Sequence, residues 1–200
     1  MWGVAAAVGA GGAAVVASIL VLLSGSPASG APADGDEQAA GTAATASRRA
    51  REDCSTRSEA RFPGAFTRDT NLVVGPLALM GGTFTDAGTV REHGGNKFPL
   101  LVKAGHKVTV TIAPRGRRMA GLAYGPQRGG ERTLRDSHAS VTFVACRRGR
   151  PSGSSADGVA VTFWSGFVVA RAPACVPLEI TVDREPSPRR VGLSLGRRCP

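Results

Sequence analysis

The sequence predicts an all-β domain: an antiparallel β-sandwich of the Ig-like or Greek-key type, with seven to eight strands, behind an N-terminal hydrophobic helix and a disordered linker. Three observations predict it. From Asn71 onward, short runs of β-branched and aromatic residues recur between Gly and Pro punctuation. No stretch after Leu23 sustains the 3.6-residue apolar period of a surface helix, which excludes alternating strand-helix architectures. Four cysteines, Cys54, Cys146, Cys175 and Cys199, lack any C-x-x-C spacing, as expected of disulfides rather than a zinc site.

The chain opens with Trp2 to Leu23, which contains no charged side chain. As a helix these residues span about 33 Å, enough to cross the roughly 30 Å hydrocarbon core of a bilayer. Residues 1–23 therefore read as a transmembrane anchor or a signal peptide, with cleavage after Ala28 in the second case. The domain then lies outside the membrane, or is secreted if the segment is removed. Leu23-Ser24-Gly25-Ser26 has the outline of a lipid-attachment box, but Ser26 stands where a cysteine must form the thioether. Residues 24–53 are rich in Ala, Gly, Ser and Thr with almost no large apolar side chain, so burial does not offset their ordering entropy; they read as a flexible tether.

Residues 54–200 carry the sandwich. Asn71–Leu79, Phe98–Val102 and Lys107–Ile112 come first, the last with the alternation of a half-buried strand. Gly121–Tyr124, Ala139–Cys146, Val159–Ala170, Val176–Val182 and Arg190–Leu195 follow, and Gly166 marks a bend in the long run around Trp164 and Phe167. In an exported domain the four cysteines form two disulfides. Of three possible pairings the expectation is Cys146–Cys175, between neighbouring strand ends, and Cys54–Cys199, tying the domain's ends; a Cys54–Cys146 link would contradict it.

Several local patterns resemble an uncharacterised group of small exported or membrane-anchored β-domain proteins of GC-rich Gram-positive bacteria. They are Asn71-Leu72-Val73-Val74-Gly75-Pro76-Leu77, Val102-Lys103-Ala104-Gly105, Ala120-Gly121-Leu122-Ala123-Tyr124-Gly125-Pro126, Val141-Thr142-Phe143 running to Cys146, Cys175-Val176-Pro177-Leu178 and the terminal Cys199. The resemblance implies export and a β fold, and carries no activity and no functional residue.

Residues that could do chemistry are sparse. His93, His106 and His138 have no second histidine at metal-ligand spacing, and no histidine follows His138 to complete a blue-copper set with the C-terminal cysteines. Asp136, Ser137 and His138 are sequence neighbours, which cannot converge on one substrate, and there is no G-x-S-x-G or Walker pattern. No catalytic residue, cofactor or metal is expected. Charge is the remaining signal. The net charge is +10, and from Cys54 onward 22 basic residues face 10 acidic ones. Clusters at Arg115, Arg117 and Arg118, at Arg147, Arg148 and Arg150, at Arg189-Arg190 and at Arg197-Arg198 fall at strand ends or loops. The first two clusters are the candidate anion-binding residues, because the guanidinium fork matches phosphate. The expected function is a non-catalytic envelope domain, tethered to the membrane, contacting anionic wall or lipid material or another envelope protein. An exported hydrolase or a sheet-edge interaction module are the alternatives. Export removes nucleic acid as a partner, and aromatic residues for base stacking are few.

Overall fold

The computed structural model describes residues 49–125, 132–149 and 153–200. The expected membrane segment, its cleavage site and Arg150 lie outside them. No helix among the described residues is long and apolar enough to cross a membrane.

The described chain is all-β with one short helix. In chain order the strands are β1 (Arg49–Glu52), β2 (Leu72–Val74), β3 (Leu77–Leu79), β4 (Gly95–Lys97), β5 (Leu100–Lys103), β6 (Lys107–Ile112), β7 (Ala120–Tyr124), β8 (Ser140–Val144), β9 (Ser154–Ala156), β10 (Val159–Trp164), β11 (Gly166–Ala170), β12 (Ala174–Val182) and β13 (Arg189–Leu195); helix α1 (Ala87–His93) precedes β4. They form a five-stranded sheet ordered β1-β8-β6-β12-β13, a second ordered β2-β3-β5-β10-β9, and a three-stranded sheet β4-β11-β7.

The described residues form thirteen strands in place of the seven or eight expected, because two long runs each fold into two strands and three short strands, β1, β4 and β9, arise outside the expected runs. Asn71–Leu79 turns at Gly75-Pro76, where Gly75 has φ +57, and pairs with itself as β2 and β3. Val159–Ala170 breaks at Ser165: β10 joins the second sheet and β11 the third. Gly166 starts β11 against the Tyr124 ring, which a Cβ at that position would strike. Helix α1 was not legible as a period because it has one buried apolar residue, Val90. Its ends are what form it: the Asp86 carboxylate accepts the Thr89 N–H at 3.0 Å, and Gly94 closes it with φ +63.

Strand alternation sorts the side chains. In β12, Ala174, Val176, Leu178, Ile180 and Val182 are buried, while the residues between them are half-exposed. In β6, Val108, Val110 and Ile112 point inward and Lys107, Thr109 and Thr111 outward. The inward faces of all three sheets feed one cluster, with Trp164, Phe98, Phe143, Leu77, Leu100 and Ile180 among its fully buried members. Trp164 is 1 % exposed, and its indole N–H lies 3.1 Å from the Asp53 carbonyl and 3.3 Å from Thr56 Oγ1.

The domain begins earlier than residue 54. β1 lies within the stretch expected to be linker and runs parallel to β8, with Arg49 opposite Ser140 and Glu52 opposite Phe143. That register explains the first disulfide: two residues past Glu52, Cys54 arrives beside the end of β8 and bonds Cys146, with Cα atoms 4.8 Å apart. The second links Cys175 to Cys199. All four cysteines are oxidised, but the expected pairing is corrected. Cys146 follows Val144, which faces Lys107 at one end of β6, whereas Cys175 precedes Leu178, which faces Ile112 at the other end. Six strand residues, about 20 Å, separate those ends, and a disulfide reaches about 6 Å between Cα atoms. Cys199 instead folds back over β13, where its N–H donates to Ser194 Oγ at 3.1 Å and Ser194 faces Cys175. Gly192 leaves the room: a Cβ there would strike Cys199 Sγ.

Candidate anion-binding surface

The first five-stranded sheet, β1-β8-β6-β12-β13, turns its other face outward, and strand register arranges that face in rows. One row reads Arg51, Thr142, Thr109 and Thr181 from β1 to β12. The next reads Arg49, Ser140, Thr111, Glu179 and Arg190 from β1 to β13. The hydroxyls pair across strands: Thr109 Oγ1 lies 3.0 Å from Thr142 Oγ1, and Thr111 Oγ1 lies 2.8 Å from Ser140 Oγ. Each pair consumes one donor and one acceptor, so one hydroxyl proton and three lone pairs remain for a ligand.

Arginines frame this hydroxyl ladder. Arg49 and Arg51 are exposed, share the outer face because they are two residues apart on a strand, and form no ion pair among the described residues. Across the sheet Arg190 Nε approaches Glu179 Oε1 at 3.6 Å. Beyond that row the face dips into a groove of about 670 Å³ lined by Pro114, Arg115, Pro177, Arg190, Gly192 and the Cys175–Cys199 disulfide. Arg115 stands on a 3-10 turn, Pro114–Gly116, and is exposed with no ion pair among the described residues.

The structure divides the arginine clusters that the sequence singled out. Arg115, Arg117 and Arg118 follow β6, while Arg147 and Arg148 follow β8 at the opposite end of the same sheet. They do not form one patch. Arg117 is half-buried and donates from Nε to the Ile112 carbonyl at 3.2 Å, so it secures the turn. Arg118 and Arg147 are exposed, and the stem of exposed Arg148 crosses Gly105. Arg189 is engaged by Glu185 through hydrogen bonds of 3.1 and 2.6 Å, and Arg198 lies 5.6 Å over the Phe84 ring. Arg49 and Arg51 were not candidates in the sequence, because Arg-Ala-Arg-Glu has no apolar residue larger than alanine to announce a strand.

A histidine–carboxylate pair also forms, at His106. His106 Nδ1 lies 2.7 Å from Asp183 Oδ2, and the Lys107 N–H donates to Asp183 Oδ1 at 2.8 Å. Burial pushes the Asp183 carboxyl upward, but the Lys107 N–H, the His106 ring and their charges prevail and hold it below its ordinary value. The arrangement has the base-and-orienter geometry of nucleophilic catalysis, yet among the described residues no hydroxyl or thiol is bonded to the ring's other nitrogen. His93 Nε2 and Glu92 Oε1 are 4.0 Å apart, mostly exposed, as chain neighbours at the end of α1. Among the described residues no group of three His, Cys, Asp or Glu side chains could hold a metal ion. Two disulfides fit an oxidising, extracellular setting. No protein-family model, curated protein or solved structure matches this chain.

Proposed function

We propose that this chain is an exported, non-catalytic envelope protein, tethered through residues 1–23, whose β domain holds anionic wall or lipid material on the outer face of its five-stranded sheet. The observation that carries the proposal is the pairing of a hydroxyl ladder with Arg49 and Arg51, two exposed guanidinium groups on one face that form no ion pair among the described residues. Arg115 extends the positive rim on the far side, next to Arg190, whose charge Glu179 partly offsets. Arginine's planar fork donates two hydrogen bonds to a phosphate, and the free hydroxyl valences suit the sugar or polyol between phosphates. A flat face framed at its edges fits an extended chain better than a compact ligand. The architecture belongs to the same proposal: three sheets around one shared core are read as an elaborated Greek-key sandwich. So does kinship with the exported β-domain proteins that the local motifs resemble.

The test is retention of the full-length chain, in detergent, on isolated cell-envelope material. Neutralising Arg49, Arg51, Arg115 and Arg190 to glutamine is expected to reduce retention at low salt by at least about tenfold, as the loss of charge-assisted hydrogen bonds predicts. Undiminished retention overturns the proposal.

A further inference from the structure

The third sheet presents a separate cleft, of about 970 Å³, within the size range of small-molecule sites. Its walls come from three places. The last turn of α1 supplies Arg91 and His93. The chain then reverses through Gly94 and Gly95; at Gly95, with φ +145, a Cβ would collide with the Val168 carbonyl, so glycine lets β4 close onto β11. Register then sets Lys97 opposite Phe167, and both line the cleft. Arg132 covers Phe167, its guanidinium 4.8 Å from the ring centroid.

The result is three permanent cations, Arg91, Lys97 and Arg132, gathered beside one lining carboxylate, Glu92, with the Asp86 carboxylate acting on Arg91 from outside the cleft. Arg91 and Lys97 are exposed and form no ion pair among the described residues. Thr89 and Thr133 add hydroxyls at the rim. Like charges gathered in a concave wall repel one another, and a compact dianion relieves that repulsion best. A phosphomonoester carries about −1.5 to −2 charge at pH 7 with three acceptor oxygens, whereas a carboxylate brings one charge. We propose that this cleft binds the phosphomonoester group of a sugar-sized ligand, either a free sugar phosphate or the phosphate that terminates an envelope polymer. The site requires nothing from the hydroxyl face and stands or falls apart from it.

Calorimetric titration of the full-length chain in detergent with glucose 1-phosphate tests it. Saturable binding is expected, with none for glucose. Arg91→Gln combined with Lys97→Gln should weaken binding by at least about tenfold, through the loss of two charge-assisted hydrogen bonds. Arg184→Gln, at an exposed arginine that lines neither surface, should leave it unchanged. No saturable binding, equal binding by the cleft variant, or displacement by sulfate at the same concentration overturns the proposal. A second arm measures retention of a polymer with a phosphomonoester end before and after phosphatase. Loss of retention that also depends on Arg91 and Lys97 assigns the polymer end as the ligand, and glucose 1-phosphate binding without such loss assigns the free sugar phosphate.

Discussion

At the scale of single residues, Asp183 joins two turns. Its carboxylate takes the Lys107 N–H and the His106 ring, and its own N–H donates to the Lys107 carbonyl at 2.7 Å, so the start of β6 is fastened to the end of β12. Asp183 adopts φ +50 to do so. Because its folded carboxyl sits below the ordinary value, it contributes stability above the ordinary carboxylate range, and that contribution is lost as pH falls through the folded value. Asp183→Ala is expected to cost about 1–2 kcal/mol at neutral pH, the worth of its hydrogen bonds. It should also flatten the acid limb of the melting temperature measured against pH; an unaltered acid limb contradicts the role. Gly166 makes a different demand. A methyl group there enters the Tyr124 ring, whose hydroxyl is fixed to the Phe98 carbonyl at 2.8 Å, so the ring cannot swing aside without losing that bond. Gly166→Ala should destabilise by about 1–3 kcal/mol, the usual cost of overpacking. An unchanged melting temperature would show that the core yields.

At the scale of elements, the first disulfide turns on one four-residue strand and the second on a terminal fold-back. β1 delivers Cys54 to Cys146, and the fold-back after β13 delivers Cys199 to Cys175. Non-reducing peptide mapping should recover those two links. The chain-entropy estimate for the 92-residue separation is about 4.5 kcal/mol and for the 24-residue separation about 3.5 kcal/mol. Replacing Cys54 and Cys146 by alanine should therefore lower the midpoint of denaturant unfolding more than replacing Cys175 and Cys199, and the reverse order contradicts the account. The strands that alternate, β6 and β12 above all, were legible in the sequence because every second residue is apolar and buried. β1 was not, because its inward residues are Ala50 and Glu52; Glu52 is 4 % exposed, with Oε2 free of hydrogen bonds. Pairing with β8 makes that segment a strand, and pairing is a long-range fact that no local window contains. The wrong disulfide pairing has the same origin, since only the pairing of β1 with β8 brings Cys54 beside Cys146.

At the scale of the molecule, the excess of arginine was plain in composition, but its arrangement was not. The loops chosen from sequence divide between the two ends of one sheet, and the arginines that share a face with the hydroxyl ladder lie on β1, on β13 and in the turn after β6. Composition sets the sign of the partner; register decides where that partner can lie. Electrostatic holding of an extended polyanion has a signature that shape-driven binding lacks, because added salt screens exposed charges within about 10 Å at 0.1 M. The most direct measurement is therefore the affinity of the full-length chain for a polyol-phosphate wall polymer as a function of ionic strength, for the native sequence and for Arg49→Gln with Arg51→Gln. The account predicts affinity that falls steeply with salt for the native chain, and a weaker, shallower dependence for the variant. Binding that ignores salt, or two curves that superimpose, would contradict a role for this face.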